Sequence, residues 1–222
     1  MSSDEDRRHS EAEEPSLISD PQAKAEAEAR NGLRQFDLGV QIIEDGIAKG
    51  AGFRLRPSVI LALHRAALEG LSQYAGNWRP ASVGIHGSKH EPIGAHLVAE
   101  AIEEMCDYIN DNWRDQTALH LASYVMWRLN WIHPFSDGNG RTSRITSYVV
   151  LSVKLGLVLP GAKTIPEQIV DKRGPYFAAL EAADQAFKAG EIDLSVMEAL
   201  LEQLLAVQLG KVLDSASGKN RF

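Results

Sequence analysis

Two apolar, helix-compatible runs, residues 117–131 and 140–156, are separated by one short polar loop, and that interruption constrains the chain more than any other feature. The loop reads His133-Pro134-Phe135-Ser136-Asp137-Gly138-Asn139-Gly140-Arg141, with Arg144 less than a turn further on. It connects two core helices, the second of which begins at the glycines. A helix start leaves backbone N–H groups without intrahelical partners, and the macrodipole adds to their pull on an anion. Gly138 and Gly140 lack a Cβ and let a polyphosphate approach the main chain. A base, a carboxylate and two guanidinium groups in so short a stretch are the parts of a nucleotide-handling site.

A chain of 222 residues holds one domain with a sizeable core plus a tail or accessory segment. The net charge of −7 is uneven: residues 1–30 carry nine acids against four basic residues, which leaves only −2 for the rest. That residual charge does not point to a nucleic-acid partner, and no basic stripe is present. The single cysteine, Cys106, excludes an intrachain disulfide and fits a reducing compartment; it reads as a small buried hydrophobe on a helix. Residues 1–20 lack the apolar core of a secretory signal, and the most apolar run, Tyr148–Pro160, is too short to span a bilayer. The expectation is a cytoplasmic protein with no membrane partner.

Residues 1–19 are polar, acidic and aperiodic, and read as a disordered tail. Asp20-Pro21 is a helix start, and the alanine-rich helix after it is expected to break or bend near Asn31-Gly32. Leu33, Phe36, Val40, Ile43 and Ile47 resume helical spacing, and Pro57 opens another helix ending near Gly70. Glycines and prolines punctuate residues 75–93 around the alternating run Ala81–Ile85, which reads as a small hairpin or flap. Helices follow at about 94–110, 117–131 and 140–156. Pro166 and Pro175 mark further helix starts, and a last helix at about 193–213 carries Leu194, Met197, Leu201, Leu204 and Val207 on one face. The fold class is all-α with one β-like excursion. The divisions are a tail at 1–19, N-terminal helices at 20–56, a core at 57–190 and a C-terminal helix and tail at 191–222.

The stretch HPFSDGNGRTSR resembles the signature of the Fic family, His-Pro-Phe-x-(Asp/Glu)-Gly-Asn-Gly-Arg-x-x-Arg, and fits it at every fixed position. Gly76-Asn77-Trp78-Arg79 and the punctuated segment resemble the family's flap, and Pro175–Leu180 resembles its later core helix. The likeness spans about residues 57–190. It implies a Fic-type helical domain with a short β-hairpin flap, and a protein adenylyltransferase moving AMP from ATP to a hydroxyl side chain of a protein, whether another protein or this chain itself. By that resemblance His133 is the general base, a role suited to an imidazole whose ordinary pKa is near ~6.5. Asp137 offers an oxygen ligand to Mg²⁺, or caps the helix, or does both. Gly138, Asn139 and Gly140 direct main-chain N–H groups at phosphates, and Arg141 and Arg144, three apart on one helix face, grip phosphate oxygens. Phe135 and Pro134 pin the loop to the core. Trp113, Trp127 and Trp131 read as packing residues rather than an adenine platform.

Ser82, Val83, Gly84, Ile85, His86 and Gly87 are the flap residues expected to dock a target strand by main-chain pairing. Many relatives also carry an inhibitory helix with the pattern (Ser/Thr)-x-x-x-(Glu/Asp)-(Gly/Asn), whose acid meets the second arginine of the signature, here Arg144. No segment meets the whole pattern: Ser10 to Glu14 is followed by Pro15, and Glu28-Ala29-Arg30-Asn31 is a relaxed version. Glu28 is the candidate brake and Glu26 the second choice. Other readings stay open: a different nucleotide donor, removal of the same modification, or a repressed regulatory module such as half of a toxin–antitoxin pair. The last helix completes the core or forms a homodimer contact.

Overall fold

The computed structural model describes residues 8–12, 14–161 and 163–216, with side chains through residue 210. Among them, eight α-helices and one two-stranded ladder account for the regular structure: β1 (Ser10–Glu11), α1 (Pro21–Lys49), α2 (Pro57–Leu68), β2 (Gly84–Ile85), α3 (Val98–Asp111), α4 (Ala118–Ile132), α5 (Asn139–Leu155), α6 (Ile165–Asp171), α7 (Arg173–Lys188) and α8 (Ser195–Ala216). The all-helical class with one small β element is borne out. No helix among the described residues is long and apolar enough to cross a membrane.

Helices α4 and α5 form the central pair on either side of the motif loop, and α1 and α2 pack against α5. Leu121, Val125, Trp127, Leu129, Val149, Val150 and Leu151 are buried there. Trp127 sends its Nε1–H to Asp184 Oδ1 at 2.8 Å, which satisfies the one polar atom of a buried indole. Cys106 is buried in α3, and burial pushes its thiol up to about 12, in keeping with a packing role.

Asp20 caps α1 as its position before Pro21 predicts, its carboxylate accepting from Ala23 N at 2.8 Å. The expected break near Asn31-Gly32 is absent: α1 runs unbroken for 29 residues. Asn31 is buried rather than turned, and its Nδ2 donates to Glu69 O at 2.8 Å at the end of α2. Gln35, one turn on, donates to Leu63 O at 3.1 Å. The buried face is therefore Ala27, Asn31, Gln35, Gly39, Ile43 and Gly46, and Leu33 is left 69% exposed. Small residues let α5 approach: a Cβ at Gly39 would sit 3.0 Å from Ile145 Cδ1, and one at Gly46 only 2.7 Å from Val153 Cγ2. Residues 20–56 thus form one long helix and a short 3₁₀ turn, Gly50–Gly52, rather than several helices.

At the other end of the chain, Leu194, Met197 and Leu201 bury into the core as their spacing predicts. Val207 is 46% exposed, and Gln208 takes the buried position instead. Its amide accepts from Ile165 N at 3.0 Å and donates to Tyr148 Oη at 3.1 Å and Pro160 O at 3.0 Å. Thr164 and Glu167 make a reciprocal capping box at the start of α6.

The reading of 1–19 as disordered is corrected for residues 8–12 and 14–19. Residues 1–7 and 13 lie outside the described residues, but 8–12 and 14–19 follow a fixed path. Ser10 pairs with Ile85 and Glu11 with Gly84 in an antiparallel ladder, so the strand that joins the flap comes from this segment. Arg8 pairs with Glu181 and lies 4.4 Å above the Phe177 ring. Glu14 accepts from Ser72 Oγ at 2.6 Å and Gln73 N at 2.8 Å. Main-chain pairing and these side-chain anchors supply the order that an apolar core does not.

Candidate active site

His133 ends α4 in the left-handed conformation, φ 53°, the only non-glycine residue with positive φ among the described residues. Its own N–H still bonds Leu129 O at 3.0 Å, so the helix terminates on the imidazole-bearing residue. Backbone strain of this kind concentrates where a side chain must be aimed. The ring is only 6% exposed. Burial, followed in effect by the charges of Arg79 and His90, lowers it to about 4 against the opposing influence of the Asn130 carbonyl and Asp137. It is a neutral imidazole at physiological pH. Nδ1 is buried with no partner in hydrogen-bond geometry, and the Asn130 carbonyl is the neighbour that favours a proton there. Nε2 is then the basic nitrogen.

The loop after His133 is held by its own side chains. Asn139 accepts from Phe135 N at 2.9 Å and donates to Phe135 O at 2.8 Å, closing the turn. Phe135 is wholly buried, stacks on His64 with ring centroids 3.6 Å apart, and meets Trp78 in a tilted contact at 5.2 Å. The loop is pinned as its apolar residues predict.

His64 escapes sequence reading, being one histidine in the apolar stretch of α2. Its Nδ1 accepts from Gly76 N at 3.0 Å, which leaves Nε2–H to donate to Asp137 O at 3.0 Å. Burial lowers it to about 4, so one neutral tautomer spans α2, the start of the flap and the motif. Arg79, only 2% exposed, is the second residue missed. Its Nε donates to His133 O at 2.8 Å, Nη1 to Ala81 O at 2.9 Å and Nη2 to Ile93 O, while its backbone N–H donates to Pro134 O at 2.9 Å. The sequence places it only at the end of Gly76-Asn77-Trp78-Arg79, the stretch that resembles the flap, with no role for its side chain.

Helix α5 starts at Asn139, with Gly138 as the preceding cap at φ 77°. The first helical bond is Thr142 N to Gly138 O, 2.9 Å, so the N–H groups of Asn139, Gly140 and Arg141 have no partner within the helix. Gly138 departs from the expectation: its N–H is taken by Asp137 Oδ1 at 2.6 Å. The other oxygen of Asp137 accepts from Arg141 Nη2 at 3.2 Å, across one helical turn. Adding a Cβ at Gly138 would bring it 2.6 Å from Leu68 Cδ2 and 3.3 Å from His64 Cδ2. Gly138→Ala is expected to cost roughly 1–2 kcal/mol in left-handed strain and about 1–3 kcal/mol more in overpacking. A urea titration reads this as a lower midpoint at constant slope; an unchanged midpoint would contradict the packing described.

A cavity of about 370 Å³ brings these groups together. Its lining includes His133, Asp137, Gly138, Asn139, Gly140, Arg141 and Arg144, together with Arg173, Tyr176 and Glu28. Arg144 is half-buried; burial lowers its guanidinium, the charges of Arg173 and Arg141 add to that, and the neighbouring Tyr176 opposes it. Trp131 also lines the cavity, whereas Trp113 and Trp127 are buried packing residues as expected. Ile85 of the predicted flap lines it too. Gly84 and Ile85 form β2, His86 N donates to His9 O at 2.9 Å, Ser82 and Val83 lead into the strand, and Gly87 turns the chain after it at φ 70°.

Glu28 is half-buried on the cavity-facing side of α1, and no ion pair joins it to Arg144 among the described residues. Glu26 is exposed, accepts from Gln22 Nε2 at 2.8 Å and takes no part in the cavity. Glu14, in the other near-match to the inhibitory pattern, is committed to Ser72 and Gln73. No cluster of three metal-ligating side chains occurs among the described residues.

The Fic/DOC family model matches residues 54–151, which spans α2 through the motif and most of α5. Over that stretch, 98 of the 222 residues, the chain is similar to the Fic/DOC family. It is 28% identical over 135 residues to "Protein adenylyltransferase fic-1" of Caenorhabditis briggsae, covering 56% of this chain and 23% of that protein. To "Protein adenylyltransferase Fic" of Drosophila willistoni it is 29% identical over 159 residues, 70% of this chain and 29% of the relative. The chain thus spans less than a third of the length of these curated relatives. Among solved structures, a Fic-1 fragment from C. elegans superposes with a TM-score of 0.68 at 18% identity, covering 91% of this chain and 55% of that one. A Fic-domain signalling protein from Bacteroides thetaiotaomicron gives 0.64 at 18% identity, over 85% and 72%. BepC from Bartonella tribocorum, solved with bound AMPPNP, gives 0.53 at 15%, over 84% and 88%. At these identities the superpositions speak for the fold alone.

Proposed function

We propose that this chain is a Fic-type enzyme that transfers AMP from ATP to a hydroxyl side chain of a protein, with His133 as general base. The observation that carries the reading is a neutral, buried imidazole lining the same cavity as Arg141, Arg144 and the unpaired N–H groups that open α5. The names of the curated relatives and the AMPPNP bound to BepC point the same way.

In this reading the attacking hydroxyl gives its proton to His133 Nε2 as its oxygen bonds to the α-phosphorus, and pyrophosphate leaves. Charge accumulates on the departing phosphates, where Arg141, Arg144 and the N–H groups of Asn139 and Gly140 stabilise it. Asp137 is the residue that would hold Mg²⁺: it is a half-exposed carboxylate beside the helix start, and Mg²⁺ is satisfied by one or two carboxylates completed by phosphate and water oxygens. The ion would neutralise charge on the leaving group. Asp137 would hold the ion in place of its present bond to Arg141, and that guanidinium would then be available to phosphate.

The test is intact-mass spectrometry of the purified chain and added lysate protein after incubation with Mg²⁺ and each nucleoside triphosphate in turn. The reading expects a mass gain of one adenylyl group with ATP. Gain only with another triphosphate would change the donor, and no gain with any would remove the transferase reading.

Glu28 places a carboxylate in the arginine-lined cavity, where it competes with a triphosphate for the same cations. Glu28→Gly is therefore expected to raise the initial rate of transfer several-fold in a labelled-nucleotide assay. A rate equal to wild type would remove Glu28 as a brake.

A further inference from the structure

A serine of this chain already stands where the acceptor hydroxyl of that reaction belongs. Ser10 Oγ lies 2.8 Å from His133 Nε2, and Asn139 Nδ2 donates to the same oxygen at 3.2 Å. Asn139 occupies one lone pair of Ser10, and in the tautomer with Nε2 unprotonated, the nitrogen assigned above as the base, the hydroxyl donates to it. The orientation comes from the main chain. The ladder sets His9 opposite His86 and Ser10 opposite Ile85, and successive residues of a strand face opposite sides. His9 stacks on His86 with ring centroids 4.8 Å apart, and Glu11 approaches the same ring, its Oε1 3.2 Å from Nδ1. Ser10 and Ile85 share one face of the ladder, and both line the cavity, as His9 does. Arg8, two residues before Ser10, is held against Glu181 and Phe177 of α7.

We propose that Ser10 is an acceptor of this site, and that the chain nucleotidylates its own segment 8–12 intramolecularly. The proposal rests on the transferase reading and names its substrate. The balanced step consumes one nucleoside triphosphate: the Ser10 Oγ–Pα bond forms, the bond from Pα to the bridging oxygen of the β-phosphate breaks, the hydroxyl proton passes to His133 Nε2, and pyrophosphate leaves with its electron pair. The product is a phosphodiester on Ser10, with its negative charge beside Arg141 and Arg144. The same docking makes segment 8–12 a competitor of any external strand, since it already occupies the pairing edge of β2.

The experiment incubates the full chain with Mg²⁺ and α-labelled ATP, and with the other triphosphates, across a range of protein concentrations, with the modified residue mapped by tandem mass spectrometry. The expected result is label on Ser10 at a fractional rate independent of protein concentration. Ser10→Ala is expected to lower self-labelling by about a hundredfold or more, and Ser10→Thr, which keeps a hydroxyl, to retain it. Label on another residue of wild type with Ser10 unmodified, or label on added protein only, overturns this proposal and leaves the transferase reading standing. A fractional rate that rises in proportion to protein concentration overturns the intramolecular step. Absence of label anywhere, including in Glu28→Gly, overturns both.

Discussion

His133→Ala is expected to reduce nucleotide transfer by roughly 10²- to 10⁴-fold, the usual contribution of a positioned general base, while nucleotide binding is retained. The two effects separate because the groups proposed to hold phosphate sit on α5 and the base sits on the last residue before the loop. A serine or threonine hydroxyl attacks poorly unless its proton is taken as the new bond forms, and Nε2 has a serine oxygen 2.8 Å away to take it from. The measurement is single-turnover transfer alongside nucleotide titration by calorimetry, with a thermal melt to verify folding. Wild-type transfer in the variant would end the base assignment. Loss of binding equal to loss of rate would mean that the ring holds nucleotide instead.

Acid is expected to destabilise the protein well above the pH at which carboxylates protonate. His64 and His133 are both neutral in the folded chain down to about pH 4, because burial lowers them from about 6.5. The unfolded chain binds both protons near pH 6.5, so between those limits it holds more protons than the native state. Stability then falls as pH falls, in full above pH 6.5 and progressively lost toward pH 4. A tenfold difference in proton affinity between the unfolded and folded chain is worth about 1.36 kcal/mol per group, so the pair together removes on the order of a few kcal/mol by pH 4.5, a large fraction of the stability of an ordinary domain. Urea midpoints at pH 7, 5.5 and 4.5 measure this, and the dependence on pH should shrink in His64→Gln. A flat profile from pH 7 to 4.5 would contradict the buried neutral histidines. Activity lost in this range should track unfolding rather than protonation of the base, since the ring stays neutral for as long as the fold holds.

The motif was legible because its residue types are rare in combination and each has a local reason to be there: two positive-φ or close-approach glycines, a buried phenylalanine and two cations on one helix face. Asp20 before Pro21 announced its cap for the same local reason. The buried face of α1 was hidden because apolar periodicity is the signal a sequence offers. Asn31 and Gln35 break that signal, and they are buried only because the end of α2 supplies carbonyls for their amides. Leu33, the residue periodicity favoured, faces outward. Segment 8–12 was hidden for a different reason. Its order comes from main-chain pairing with residues more than seventy positions away, and backbone hydrogen bonds leave no mark in composition. His64 and Arg79 share this problem, since each is defined by partners that only the fold brings near.

The guanidinium of Arg79 gathers carbonyls from Ala81 and Ile93, the two feet of the flap, and from His133 itself. Both ends of the flap are therefore moored to one post, and that post also steadies the peptide of His133. Residues between the moorings other than Gly84, Ile85 and His90, which hold Ser10 or bear on the charge of the ring, can change character without moving the backbone of the imidazole. A scaffold built this way lets the choice of partner drift over evolutionary time while the chemistry stays put.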